Sequence, residues 1–206
     1  MKIKKKSVLF ICADQWRWDC FGFMNHQKAL TPNLDKLAKK STVFKSHFTS
    51  IVPCGPSRAT MLTGLYPFIH RSVRNGAPLD KRFTNIAKEV KKNGYDPKLF
   101  GYTDTTWDPR FLDDADKKKY TYESPMEGFD PVCHLTESDP VLWANFLKSK
   151  GYEIKKPHDL YQREKPKNGE GYIFKAWDIP TEDSDTTFLA NEVINNLENT
   201  KNPFFY

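Results

Sequence analysis

Long apolar runs are missing from this chain. A helix that spans a bilayer needs about 20 consecutive apolar residues, and no stretch of the 206 residues approaches that length. The sequence therefore predicts no membrane span. Cysteine is scarce: Cys12, Cys20, Cys54 and Cys133 are irregularly spaced and form no C-x-x-C pair. Such spacing indicates neither a zinc site nor a disulfide framework, and a reducing cytoplasm fits it best. Internal repeats and low-complexity tracts are also absent, which excludes a repeat architecture. The mean hydropathy of −0.68 and the 38% hydrophobic content are low for a globular protein, yet 14% aromatic residues argue against disorder.

What is present begins with positive charge. Thirty-two Lys and Arg against 26 Asp and Glu leave a formal net charge of +6. Much of it sits in "KIKKK" at residues 2–6 and "KKK" at 117–119. Both runs are short and lack interleaved arginine and aromatic residues, so they predict solvated surface and no nucleic-acid partner. The excess charge still favours the approach of small anions. Lysines followed by "SVLFICA" look like the start of a secretion signal. The apolar run is short, ends in Asp14 and carries no small-residue cleavage pattern, so a strand is the better reading.

Length allows one ordinary domain or part of a larger one. Val8–Ala13 is a continuous apolar run, expected of a strand buried on both faces of a parallel sheet, with Asp14 at its end. "TPNLDKLAKKS" predicts a helix over about 32–40, with Thr31 as N-cap and Pro32 in the first turn. "TVFKSHFTS" alternates like a strand. A helix opened by Pro56 and closed by Gly64 follows, then a helix in "NIAKEVKKNG" and a strand in "PKLFGY". From about 104 to 183 the pattern loosens into an expected irregular insertion over one face, with one helix capped by Asp139 and ended by Gly151. Periodicity returns in "SDTTFLANEVINNLENTKN", and "PFFY" at 203–206 reads as the beginning of a buried strand.

Cys54 lies near the expected helix start in "SIVPCGPSRATMLTGLYP". Unpaired amides and the helix dipole there favour an anion and would also stabilise a thiolate. Pro53, Gly55 and Pro56 make a rigid, approachable turn, and Arg58 offers a fork suited to phosphate or sulfate oxygens. A small buried thiol is the bland alternative, and position alone leaves both open. The loop of cysteine phosphatases is excluded by spacing: it places five residues between cysteine and arginine, whereas three stand here.

"CGPSRATMLTGLYP" resembles the C-x-P-S-R signature of the sulfatase branch of the alkaline phosphatase superfamily. "VLFICADQWRWDCFG", "TPNLDKLAKKSTVFKSHFT" and "GYDPKLFGYTDTTWDPR" agree with that family in order, covering most of residues 7–110. The resemblance returns weakly from "TTFLANEVINNLENTKNPFFY". It implies an α/β/α sandwich with a mostly parallel sheet, of which residues 1–206 form the N-terminal part of one catalytic domain, incomplete at the C-terminus. It implies that a separate maturation enzyme oxidises Cys54 to formylglycine, whose hydrate is the nucleophile. It further implies one divalent cation (Mn²⁺, Ca²⁺ or Mg²⁺) held by Asp14 and position 54, with Arg58 as the second catalytic residue. A metal-held oxygen attacking phosphorus or sulfur, and a second hydroxyl that later collapses to release product, make chemical sense of that set.

Departures from the sulfatase pattern select a branch. Gln15 stands where a second aspartate is usual, and "GYTDTT" replaces a G-K-W-H-like segment. With "NGAPLD", these changes resemble the phosphonate monoester and phosphodiester hydrolases, in which residues matching Gln15, Asn75 and Tyr102 line the site. Asp104 occupies a position that usually carries a neutral hydroxyl, and a carboxylate there repels an anionic ester unless it is protonated or metal-bound. The resemblance thus implies a small anionic ester as substrate, with arylsulfatase activity as the alternative, and allows a homo-oligomer. It also implies a further Asp with a His or Asn, a catalytic His and a Lys beyond residue 206, so the chain alone is expected to be inactive. A non-catalytic member of the fold is the reading from a different class.

Other candidates read as structural. His70 in "YPFIHRS" is expected to pack and hydrogen-bond, Trp16 and Trp18 to join the core, and His158 to lie on the surface. Cys133 and His134 are adjacent, which is poor metal-ligand spacing.

Overall fold

Parallel pairing organises the larger of two units in the computed structural model, which comprises Met1–Leu9 with Ser50–Tyr206; the other is Phe10–Thr49. The structure describes residues 5–162 and 177–206, so the start of the first lysine run and residues 163–176 of the expected insertion lie outside the described residues. Strand β1 (Lys98–Phe100) pairs in parallel with β2 (Asp130–Cys133), with an irregularity between Leu99 and Phe100. On the other side, Pro97 and Val8 each bridge Phe205 in parallel. The Lys98 N–H donates to the Phe205 carbonyl at 3.0 Å, the Val8 N–H to Phe204 at 2.8 Å, and the Tyr206 N–H to Val8 at 3.0 Å. The order is Val8, Phe205, β1, β2. All members run parallel, as expected of an α/β sheet, and "PFFY" pairs as read.

Two expected strands fail. Val8–Ala13 contributes only the bridge at Val8, and Leu9–Ala13 are exposed, Ile11 by 78%. An apolar run becomes a strand only where neighbouring backbone completes its ladder, and Val8 alone has that partner here. "TVFKSHFTS" turns at Lys45 and Ser46 and lies exposed, because alternation without a sheet edge to join stabilises nothing. Strand β2, conversely, falls in the stretch expected to be irregular. Its Pro131 lacks an N–H, which a strand tolerates at a sheet edge.

Helix boundaries follow the caps. In the smaller unit, α1 (Pro32–Ala38) begins with proline, but Thr31 makes no side-chain cap. Its Oγ1 accepts the Gly22 N–H at 2.8 Å and donates to Asp35 Oδ1 at 2.9 Å, tying the 3₁₀ turn Gly22–Met24 to the helix. In the larger unit α2 (Cys54–Thr63) ends at Gly64, whose φ of 70° is left-handed. Next comes the short α3 (Pro67–His70). Helix α4 (Ile86–Lys92) is capped by Asn85, whose side chain accepts the Lys88 N–H at 3.0 Å. Helix α5 (Val141–Ser149) starts after Pro140, so Asp139 is not its cap. Helix α6 (Asp185–Glu198) is capped by Ser184 through the Thr187 N–H.

Two apolar clusters hold the larger unit. Ala59 and Leu62 of α2 meet Leu79 and Met126. Trp143 and Leu147 of α5 meet Leu135, with Phe188 and Leu189 of α6 against them. The Trp143 indole N–H reaches the Asp183 carbonyl at 2.8 Å, so burial of the ring strands no donor. Met126, Leu135, Trp143 and Leu147 all belong to the stretch expected to lie over one face, yet they supply core. Among the described residues no helix is long and apolar enough to cross a membrane.

Candidate active site

Cys54 is the first residue of α2, two positions before the start expected at Pro56. Pro53 precedes it in extended conformation and offers no side-chain cap. Asn75 supplies one from a distant loop. Its Oδ1 accepts the Gly55 N–H at 3.0 Å, while its Nδ2 donates to Cys54 Sγ at 3.2 Å. One amide thus satisfies an otherwise unpaired helix donor and holds the thiol. The approach requires glycine at 55: a Cβ there would lie 2.9 Å from Asn75 Oδ1 and 3.3 Å from the Asp104 carbonyl oxygen.

Arg58, one helical turn further on, is on the same face of α2 as Cys54. Its Nη1 donates to the Tyr102 carbonyl at 3.2 Å, and its guanidinium lies over the Tyr102 ring, 4.7 Å from the centroid. Its Nε is 3.5 Å from Asp104 Oδ2, and the two side chains are only 10% and 3% exposed. Asp104 has a φ of 50°, a left-handed conformation that aspartate tolerates better than most residues. Its neighbours pin it there. Thr103 Oγ1 accepts the Met126 N–H at 2.7 Å, and the Thr105 N–H donates to the Ser124 carbonyl at 3.1 Å.

This environment reverses the expected thiolate. Burial pushes the Cys54 thiol above its ordinary pKa, and the nearby Asp104 carboxylate adds to that, while Asn75 pulls the other way. Desolvation and a like charge outweigh the helix terminus. Tyr122, which no motif singled out, shares these surroundings: burial raises its phenol first, and Glu123, Asp104 and Cys54 add to the shift. Only the fold could have revealed it.

The structure therefore brings together Cys54, Arg58, Asn75, Tyr102 and Asp104. Asp14 and Gln15 belong to the smaller unit, where Gln15 Nε2 donates to Asp14 Oδ2 at 3.4 Å and Gln15 has a left-handed φ of 53°. Among the described residues no three His, Cys, Asp or Glu side chains gather as a cation site. Asp14 and position 54 alone do not make up the metal centre that the resemblance implies.

His70 is buried and structural. The Ser72 N–H donates to its Nδ1 at 3.1 Å, which leaves the proton on Nε2, 2.9 Å from Thr60 Oγ1. Cys133 is buried, its thiol pushed up to about 11, and His134 Nε2 meets the Glu123 carbonyl at 3.1 Å. His158 is exposed. Trp16 and Trp18 are not core: they are 47% and 72% exposed, and Trp16 stacks on Phe21 with its N–H on the Cys20 carbonyl.

Cys54 thus opens α2 in the grip of Asn75, with the buried Arg58 one helical turn on. The family model "Sulfatase" matches residues 6–206, and the chain belongs to the sulfatase family, with an alkaline phosphatase-like α/β fold. Within that family it is similar to the multifunctional alkaline phosphatase superfamily protein PehA of Trinickia caryophylli, 36% identical over 98% of this chain and 40% of PehA. The crystal structure of the phosphonate monoester hydrolase of Agrobacterium radiobacter superposes with a TM-score of 0.87 at 38% identity, and that of phosphonate monoester hydrolase SpPMH from Silicibacter pomeroyi with 0.86 at 40%. Each covers 98% of this chain, and the chain spans 40% of each of theirs.

Proposed function

We propose that this chain carries the nucleophile half of an ester hydrolase acting on phosphonate monoesters and phosphodiesters, with Cys54 oxidised to formylglycine by a separate maturation enzyme. The observation that carries the reading is the geometry at position 54: a cysteine opening α2, gripped by Asn75 and one helical turn from the buried Arg58, with its thiol pushed up by burial. A cysteine that attacked as thiolate would need the opposite shift. When present, the formylglycine hydrate supplies the attacking oxygen and a second hydroxyl for product release.

The chain's own residues do the positioning. Asn75 fixes side chain 54 relative to the helix axis, and Gly55 lets the loop close on it. Arg58 sets a guanidinium charge one helical turn from Cys54 for the oxyanion of a tetrahedral ester, with the Tyr102 ring covering one face of the guanidinium. Arg58 is held before the ester arrives, so little reorganisation accompanies charge development in the transition state. Similarity to phosphonate monoester hydrolases over nearly the whole chain favours that branch over arylsulfatases.

The test is kinetic. Protein carrying this chain should hydrolyse p-nitrophenyl phenylphosphonate and bis(p-nitrophenyl) phosphate with higher kcat/KM than p-nitrophenyl sulfate. Cys54→Ala should lower kcat/KM by about 10³-fold or more, because the covalent route is lost. Sulfate preference moves the chain to the arylsulfatase branch. Unimpaired turnover by the alanine variant overturns the nucleophile assignment. Mass spectrometry of the Cys54 peptide after co-expression with a formylglycine-generating enzyme should show the aldehyde, whereas an untouched thiol favours a non-catalytic role.

A further inference from the structure

Arg58 does not meet an incoming anion as a full positive charge. Its guanidinium lies 3.5 Å from the Asp104 carboxylate, and both side chains are almost wholly removed from water. Charges paired in such surroundings are screened far less than surface pairs. An anion drawn to the arginine is also repelled by the aspartate behind it. For an ion with one negative charge, short charge-assisted hydrogen bonds to the guanidinium outweigh that repulsion. A second negative charge doubles attraction and repulsion alike, but the cost of stripping water from the ion rises with the square of its charge, and Arg58 half-compensated by Asp104 leaves too little net attraction to offset it. The backbone gives Asp104 no room to withdraw: its left-handed φ of 50° is set between Thr103 and Thr105, both buried and hydrogen-bonded to the 124–126 segment.

We infer that Asp104 is a specificity-determining residue that sets the charge of the oxyanion accepted at Arg58, admitting one negative charge and disfavouring two. Phosphodiesters, phosphonate monoesters and sulfate monoesters carry one charge; phosphate monoesters carry two. The inference rests on the proposed ester-hydrolase reading for its substrates, but it makes a claim about binding that needs no turnover.

Perrhenate and tungstate are the probes. They are tetrahedral oxyanions of closely similar size bearing one and two negative charges, and both are simple ions at mildly alkaline pH. Calorimetric titration of the wild-type chain, with Cys54 unmodified, should show tighter binding of perrhenate. Asp104→Asn keeps the side chain's size and suits a left-handed backbone. It should improve tungstate binding relative to perrhenate about ten-fold, the scale of one buried charge contact. Arg58→Gln should abolish binding of both ions, which locates them. An unchanged ratio in Asp104→Asn overturns the inference, as does wild-type preference for tungstate, binding of neither ion, or binding that survives Arg58→Gln. If Asp104→Asn does not fold, the wild-type preference and the Arg58→Gln loss decide alone. Failure of the hydrolase reading looks different: perrhenate is preferred but no ester is cleaved. Cleavage of a phosphodiester with an unmoved ion ratio sinks the charge selection and leaves the hydrolase.

Discussion

At the scale of single residues, the thiols differ most in their surroundings, and their chemistry should differ accordingly. Cys12 is exposed, Cys54 is partly buried with its pKa raised, and Cys133 is buried with its thiol pushed up to about 11. Alkylation proceeds through the thiolate and needs access. Iodoacetamide labelling of the unmodified protein near neutral pH, followed by peptide mass spectrometry, should modify Cys12 first, Cys54 more slowly, and Cys133 only on unfolding. Labelling of Cys54 as fast as Cys12 would show a thiolate, and with it a different nucleophile. Asp104→Asn should speed the labelling of Cys54, since the carboxylate is one of the groups that raise it. Cys54 and Arg58 were legible as a pair because both belong to the C-x-P-S-R segment, although the helix was expected to start only at Pro56. The grip of Asn75 on the Gly55 amide and the pairing of Arg58 with Asp104 were not, since each joins α2 to a residue distant in the chain and depends on how the intervening chain folds back.

At the scale of elements, the caps show what local sequence decides. Asn85 and Gly64 act on their own helices through contacts a few residues away, and Gly64 was read as the end of its helix. Thr31 and Asp139 look equally suited as caps but make other contacts. Thr31 is engaged by Gly22, and the Asp139 N–H donates to Thr136 Oγ1 at 2.8 Å before α5 begins at Val141. For Thr31, the contacts to Gly22 and Asp35 outweigh a cap worth about 1 kcal/mol. His70 is an element-level tie of the same kind, joining α2 through Thr60 to the turn after α3 through Ser72. It accepts at Nδ1, so protonation would break the Ser72 contact. Burial lowers its pKa. As pH falls below the unfolded value of about 6.5, the unfolded chain binds a proton that the folded chain resists, and stability is lost through that window. The melting temperature should therefore drop on acidification from above pH ~7 toward pH ~5. His70→Gln should be less stable at alkaline pH, by about 1 kcal/mol, yet show a shallower drop. A drop of wild-type size in His70→Gln would assign it to other groups.

For the whole molecule, the α/β class was readable because helices and strands alternate through the first hundred residues, whereas the pairing of Val8 with Phe205 across nearly the full chain was not. Neither was the fate of the apolar residues between those partners. Ile11, Leu30, Phe44 and Phe48 are 78%, 90%, 77% and 84% exposed, and Leu9 and Phe10 are also open to solvent. Single exposed apolar residues are ordinary, but this many large ones in one short stretch make a surface that water covers at a cost. The net charge of +6 opposes association, and short-range apolar contact favours it. Salt separates the two, since screening removes the charge repulsion while leaving apolar contact intact or stronger. The 206-residue chain should therefore associate in a concentration-dependent way in sedimentation velocity, more strongly at high salt than at low. Replacing Phe44 and Phe48 with serine should shift the distribution toward monomer without changing the melting of the larger unit, to which neither residue belongs. Association that dissolves on adding salt would instead point to ion pairing by the lysine-rich surface. A species that stays monomeric at every salt and protein concentration would mean that these side chains do not act as a contact surface.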